Sequence, residues 1–348
     1  MRILEIASPI FKKTAGIERV IYELSKNFKK LGNDVFVLTQ KIEDPLKGIG
    51  FIFKKPSKKF LEKIKKEKGI NIIHSHGAAS TFCDVVTMNS CHKAYVKTTD
   101  LLRRISPRNI IVILRENKVV KNAKLVIAVS KLVKKKLIKE YGIQPNKIKV
   151  IYNGINLKEF YFKRKFTQLK KREIRLLFIG NYFKRKGLKE LLLALAIIKD
   201  KPFKLFVAGK DNPNPYIKLS KKLGIAEKIF FLGHCKNVAS LYKKSDIFVF
   251  PTKMEPCSLA ELEAMAAGLA LVISDKKFNG VAELLKDKGD CILIKNPSDP
   301  KEIANKINYL LENRQLIKKL GLNAQKKALK FDWKNISKQY LKLFKRLK

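Results

Sequence analysis

Short apolar runs alternate along this chain with longer stretches whose apolar residues recur every three to four positions. That alternation predicts parallel α/β layers, because a short continuous apolar run is a strand covered on both faces and the helical stretches supply the covers. The expected strands of a first array are Ile3–Ala7, Asp34–Thr39, Ile70–His74, Asp84–Thr87, Leu125–Val129 and Lys149–Ile151. Between the first two, Ile17, Val20, Ile21, Leu24, Phe28 and Leu31 share one helical face, and Gly32-Asn33 ends that helix. A basic, irregular stretch from Lys158 to Arg172 reads as a linker. The pattern then restarts, with strands at Ile174–Ile179, Lys204–Ala208, Ile229–Leu232, Asp246–Phe250, Ala270–Ser274 and Cys291–Ile294. A last helix from about Trp333 to Leu347 carries Trp333, Ile336, Tyr340, Leu341 and Phe344. The reading is two βαβ domains, 1–165 and 166–332, followed by a helix at 333–348, with a cleft expected at the carboxyl ends of both sheets.

Composition narrows the class. The chain has 348 residues and is 46% hydrophobic, enough for two ordinary cores. Its longest wholly apolar run, Leu191–Ile198, is far below the roughly 20 residues that span a bilayer. Glu5 interrupts the first apolar run, and Lys12 and Lys13 follow it, so the N-terminus reads as a buried strand and not a signal peptide. Five scattered cysteines without a Cys-x-x-Cys pair predict reduced thiols in a cytoplasmic protein. The outlier is charge: 76 Lys plus Arg against 30 Asp plus Glu, a net +46. Ion-pair networks need both signs, so a one-sided excess points to a polyanionic partner: an anionic membrane surface, an anionic glycolipid or a nucleic acid.

Two constellations carry chemistry. The first is Glu255-Pro-Cys-Ser-Leu-Ala-Glu-Leu-Glu263, followed by Ala264-Met265-Ala266 and Gly268. It reads as a strand end, a loop and a helix whose N-terminus presents free N–H groups to a diphosphate. Ser258 and Glu261 form a capping box, which gives Glu261 a structural role and leaves Glu255 and Glu263 free for hydroxyl groups. The second is Gly180-Asn-Tyr-Phe-Lys184-Arg185-Lys186-Gly187, a glycine turn and cationic loop directly after the first strand of the second array. Gly180 lets backbone approach a ligand, and Arg185 with Lys186 can neutralise a pyrophosphate.

Taken together with Gly209 and Gly233 after successive strands, and with Gly16-Ile17-Glu18, Gly32-Asn33-Asp34-Val35 and His74-Ser75-His76-Gly77 in the first array, these motifs resemble family-4 glycosyltransferases of the GT-B fold. That resemblance covers nearly the whole chain and implies an α/β, GT-B architecture of two facing Rossmann-like domains, with the terminal helix crossing back to the first. It implies that Glu263 holds the donor ribose, Glu255 contacts the donor sugar, and Arg185 and Lys186 hold the diphosphate. Gly16, Gly180, Gly209, Gly233, His234, Ser258 and Leu259 complete the donor side. The implied reaction is retaining hexosyl transfer with front-face attack assisted by the leaving phosphate. It needs no metal or other cofactor, and no Asp-x-Asp sequence occurs.

The chain departs from the family pattern at several points. Ala15-Gly16 stands for Gly-Gly, Asn181 for a common arginine, and Pro256-Cys257-Ser258 for Gly-Phe-Gly. Asn89 occupies the place of a histidine or aspartate; it cannot serve as a general base but can bond a donor hydroxyl, and His92 is the alternative. His74 and His76 share one side of a strand end and are assigned, with Lys93, to the acceptor; no third metal ligand is close in sequence.

Two basic segments of the first array read as membrane contacts. Lys54–Lys68 carries an apolar stripe of Phe60, Leu61 and Ile64, and Lys93–Arg108 mixes Tyr95, Val96, Leu101, Leu102 and Ile105 with cations. The likeness is closest to the lipopolysaccharide-core glucosyltransferase branch, which implies glucose transfer from UDP-glucose to an anionic glycolipid or glycan at the inner face of the cell membrane. The competing readings are a nucleotide-sugar epimerase of the same fold and a nucleic-acid-binding protein. The latter finds no recognisable binding module, so no specific nucleic-acid partner is expected.

Overall fold

The computed structural model describes every residue except Ser8, Ala15, Asp100, 165–172 and Lys348, and only the backbone of Leu101 and Arg103. It divides into two compact units, Met1–Gly154 with Trp333–Lys348, and Ile155–Asp332.

The first unit contains β1 (Arg2–Ile6), β2 (Ile10–Phe11), β3 (Asp34–Thr39), β4 (Lys41–Ile42), β5 (Gly50–Phe53), β6 (Ile72–His76), β7 (Val85–Met88), β8 (Leu125–Ala128) and β9 (Ile148–Val150). Seven of these form one sheet in the order β5-β3-β1-β6-β7-β8-β9, with all pairs parallel, and β2 and β4 form a separate short ribbon. Strand β5 is absent from the expected set: it is a short, half-exposed edge strand whose apolar stretch, Phe51-Ile52-Phe53, is only three residues long, fewer than the four or more that mark a strand. It docks closely because Gly50 has no side chain; a Cβ there would lie 2.7 Å from Phe36 Cδ1. Helix Gly16–Lys30 and the C-terminal helix Trp333–Lys345 pack together in this unit. The expected face of the latter, Trp333, Ile336, Tyr340, Leu341 and Phe344, is buried, and Phe28 meets the rings of Tyr340 and Phe344 at 6.2 and 5.7 Å.

The second unit contains β10 (Ile174–Ile179), β11 (Phe203–Ala208), β12 (Ile229–Gly233), β13 (Ile247–Phe250), β14 (Ala270–Ser274) and β15 (Ile292–Ile294), ordered β12-β11-β10-β13-β14-β15 and parallel throughout. The expected boundary at 165 moves to Ile155. Residues 155–164 belong to the second unit because Ile155 pairs with Asp332, Phe160 packs edge-on against Tyr242 at 5.6 Å, and Arg164 bonds the carbonyls of Ser245 and Ala267. The rest of the expected linker lies outside the described residues.

Both basic segments look different once folded. Leu61 and Ile64 of helix Lys58–Glu67 join the core with Leu4, Ile6, Leu38, Ile70 and Ile73, and Phe60 packs against it. The apolar stripe read as a membrane contact in Lys54–Lys68 is therefore spent on the fold. In the other segment Leu102 is 80% exposed and Ile105 59%, and the apolar surface continues onto helix Pro107–Asn122 through Ile110, Ile111 and Leu114. Arg104, Arg108, Arg115 and Lys118 are exposed on the same stretch. Among the described residues, no helix is long and apolar enough to cross a membrane.

Candidate active site

Strand β10 ends at Ile179, and the chain turns at Gly180 with φ +150° into the cationic loop. The glycine is required by a side chain of the protein itself: a Cβ at Gly180 would lie 2.4 Å from Lys186 Nζ. The bare backbone thus leaves Lys186 a path across the strand end. Gly209 fills a similar role, since its Cβ would meet the Gly180 carbonyl oxygen at 2.2 Å. Gly187 (φ +80°) has its own reason, since a Cβ there would lie 2.1 Å from the Pro251 carbonyl oxygen. Gly233 (φ +61°) has open space above it, and His234 beside it is exposed.

The loop after β13 closes on this cationic turn. Lys253 N donates to Arg185 O at 2.9 Å, and Arg185 Nη1 donates to Met254 O at 2.8 Å. Glu255 is pinned by its backbone, its N–H donating to Phe278 O at 2.7 Å and its carbonyl accepting from Gly280 N at 2.9 Å. These contacts bring Lys186 Nζ and Arg185 Nη2 to 3.5 and 3.6 Å from Glu255 Oε2, an oxygen that is buried and makes no hydrogen bond. Lys186 itself is only 8% exposed and lies 4.7 Å over the Phe250 ring. Sequence positions 180–187 and 255 are thus one cluster of fixed charges.

Helix Leu259–Ala266 starts at Ser258, whose hydroxyl accepts from Glu261 N at 3.4 Å. The capping box is only half made. The Glu261 carboxyl turns to Asn279, which donates from Nδ2 to Oε1, and Oε2 has no partner. Burial, with the Glu255 charge adding to it, raises the Glu261 carboxyl to about 8, so it is protonated at neutral pH. Glu263 is not free either: Tyr242 Oη, fully buried, donates to Glu263 Oε2 at 2.8 Å. Leu259, at the helix start, is half-buried.

In the first unit, Gly16 (φ +58°) opens helix Gly16–Lys30, while its neighbour Ala15 lies outside the described residues. His74 is fully buried; its Nδ1 lies 2.8 Å from Glu5 Oε1 and its Nε2 2.8 Å from Thr87 Oγ1, which also bonds Tyr340 Oη. Both of its nitrogens are occupied, so the acceptor contact assigned to His74 does not form. His76 Nε2 lies 3.2 Å from Glu5 Oε2, while Nδ1 has no partner. Glu5 is thus the third potential ligand that sequence proximity did not supply; its atoms and those of the two histidines lie within 4.8 Å of one another. Asn89, just past β7, has an Nδ2 without a partner. His92 is held by Asn109 Oδ1 at 3.0 Å and through its backbone N–H by Glu116 Oε2 at 2.8 Å. Lys93 Nζ donates to Glu140 O at 2.9 Å, which places it in the packing of this unit and not on a free surface.

Residues 14–159 match the model of Glycosyltransferase Family 4, and residues 159–327 match that of Glycosyl transferases group 1. The fold is GT-B, an α/β architecture of two Rossmann-like domains, and both matching models describe glycosyltransferases. The GT-B chain is 32% identical over 234 residues to the uncharacterised glycosyltransferase MJ1607 of Methanocaldococcus jannaschii, covering 63% of this chain and 59% of that protein. It is also 32% identical over 222 residues to the N,N'-diacetylbacillosaminyl-diphospho-undecaprenol alpha-1,3-N-acetylgalactosaminyltransferase of Campylobacter jejuni, covering 60% of this chain and 57% of that enzyme. The matched stretches thus span less than two thirds of either relative. Among solved structures, WaaG, a glycosyltransferase involved in lipopolysaccharide biosynthesis, superposes with a TM-score of 0.82 at 20% identity, over 98% of this chain and 99% of that one. Anabaena Alr3699/HepE in complex with UDP-glucose gives 0.77 at 19% identity, over 99% and 100%.

Proposed function

We propose that this protein transfers a hexose, with retention, from a nucleotide sugar to an anionic membrane-bound glycolipid or glycan such as lipopolysaccharide core, and that UDP-glucose is its donor. The observation that carries the reading is the Glu255–Lys186–Arg185 cluster. Two cations held at 3.5 to 3.6 Å from a single carboxylate oxygen leave the cluster with a net positive charge. A diphosphate takes over the cations, drawn by the net positive charge of the cluster, and releases Glu255 to accept from sugar hydroxyls. Lys186 and Arg185 then stabilise the negative charge that develops on the leaving phosphate, the role a divalent ion plays elsewhere. Asn89 positions a donor hydroxyl, and the leaving phosphate takes the acceptor proton.

The acceptor side follows from charge and surface. The exposed Leu102, Ile105, Ile110, Ile111 and Leu114 beside exposed arginines suit the headgroup region of an anionic leaflet, where the protein sits peripherally on the cytoplasmic side. The Campylobacter relative is named for a diphospho-undecaprenol-linked substrate, an acceptor of the same kind. A panel of nucleotide sugars, scored for thermal stabilisation and slow donor hydrolysis, tests the donor reading; UDP-glucose is expected to lead and to release α-glucose first. A chain that no nucleotide sugar stabilises, and that hydrolyses none, contradicts it. A β-configured first product contradicts retention.

A further inference from the structure

Tyr182 is held in a backbone conformation that its side chain disfavours. Its φ is +61°, in the left-handed region where glycine and asparagine are at ease and an aromatic residue is out of place. Its neighbours force it there. Gly180 N donates to Ala208 O at 2.9 Å and Asn181 Oδ1 accepts from Lys210 N at 2.8 Å, so the chain before Tyr182 is tied to the end of β11. Phe183 N donates to Asp211 Oδ2 at 2.7 Å, and the buried Phe183 ring meets those of Phe178 and Tyr216 at 5.9 and 5.5 Å. The residue between these two anchors has to turn the chain. Lys186 N then donates back to the Tyr182 carbonyl at 3.1 Å, which closes the cationic loop.

A tyrosine at such a turn needs a reason other than folding, because its ring is not in the core: Tyr182 is 68% exposed. The group it meets is Arg185, whose Cζ lies 5.5 Å over the ring centroid. The guanidinium is therefore located from three directions. Nη1 donates to Met254 O at 2.8 Å, Nη2 lies 3.6 Å from Glu255 Oε2, and the Tyr182 ring presents its face to Cζ. The ring contact differs in kind from the other two. It restrains a cation through the aromatic face and uses none of its N–H groups, so those not given to Met254 remain available to an anion. It also carries no negative charge that an incoming anion would have to displace, as Glu255 does.

We infer that Tyr182 is a positioning residue for the donor diphosphate: its ring holds the Arg185 guanidinium in place, and the left-handed turn at 182 is kept because it sets the ring there. The inference rests on the transferase reading above, in which Arg185 receives the diphosphate, and adds to it a residue that acts through Arg185. It accounts for a bulky aromatic side chain, largely in solvent, at a position whose backbone favours glycine or asparagine.

The test is calorimetric titration of the full chain with UDP, in wild type, Tyr182→Asn and Tyr182→Phe, each also combined with Arg185→Gln. Asparagine suits the backbone at 182 and removes the ring, so Tyr182→Asn is expected to weaken UDP about threefold, the loss of one cation–ring contact. Tyr182→Phe keeps the ring and is expected to bind as wild type does. With Arg185→Gln in place the guanidinium is gone, and Tyr182→Asn is expected to cause no further loss. A merely structural role for Tyr182 would cost the same affinity in both backgrounds. Tyr182→Gly, which takes the same φ freely, repeats the comparison if the asparagine variant fails to fold. Wild-type UDP affinity in Tyr182→Asn, an equal loss in Tyr182→Phe, or an equal loss with and without Arg185 overturns the inference. The two readings separate in the same experiment. If wild type binds UDP and Tyr182→Asn binds it equally well, only the role of Tyr182 falls; if wild type binds no UDP, the transferase reading falls and this inference falls with it.

Discussion

Glu261 shows how much one buried group changes the reading of a motif. Its carboxyl is fully buried, half-bonded and protonated at neutral pH, so the folded state binds a proton that the unfolded state has released. The sign follows: between about 4.5 and about 8 the native state holds more protons, and stability falls as pH rises through that window. Glu261→Gln keeps an acceptor for Asn279 and removes the titration. It is expected to flatten this part of the pH profile and to raise the urea midpoint at pH 8 relative to wild type; an unchanged difference between pH 5 and pH 8 contradicts the assignment. The motif itself is legible in sequence, and so is the proximity of Glu255 to the cationic loop, because both sit at the ends of adjacent parallel strands. The Glu263–Tyr242 bond is not legible, since it joins two helices 21 residues apart and no local pattern marks it. Glu5 does leave a signal, a lone charge inside a buried strand, but a strand pattern alone does not name the histidines that pair with it.

At the level of elements, the turn glycines separate into two kinds that look alike in sequence. Gly209 sits where a Cβ strikes backbone, and Gly233 where it strikes nothing but the backbone angle disfavours it. Gly209→Ala is expected to cost about 3 kcal/mol and Gly233→Ala about 1 kcal/mol, measured by urea unfolding of the second unit's transition. Equal losses at the two sites would contradict the steric account. The central strands are mostly apolar, and they lie within a residue or two of their expected positions. Edge strand β5 escapes such a reading because its apolar stretch, Phe51-Ile52-Phe53, is too short to mark a strand. The helix at Lys58–Glu67 misleads for the converse reason: an amphipathic stripe predicts burial without saying whether the partner is a core or a membrane.

On the scale of the whole molecule, an excess of 46 positive charges would make the proposed association with an anionic leaflet sensitive to salt, and the exposed apolar residues between Leu102 and Leu114 would give it a direction. The combined variant Leu102→Ser, Ile110→Ser, Leu114→Ser is expected to bind phosphatidylglycerol vesicles about tenfold more weakly or worse, with stability unchanged because none of the three side chains is buried. Binding equal to wild type would assign the attraction to diffuse charge alone. The central claim, that Lys186 and Arg185 receive a diphosphate which frees Glu255 for the sugar, is most directly tested by calorimetric titration of the full chain with UDP and with UDP-glucose. Glu255→Gln removes the carboxylate that competes for the cations, so it is predicted to bind UDP at least as tightly as wild type while losing the additional affinity conferred by glucose. Lys186→Met is predicted to weaken both ligands about tenfold or more, the loss of one charged hydrogen bond. Wild-type affinity for UDP-glucose in both variants would contradict the account.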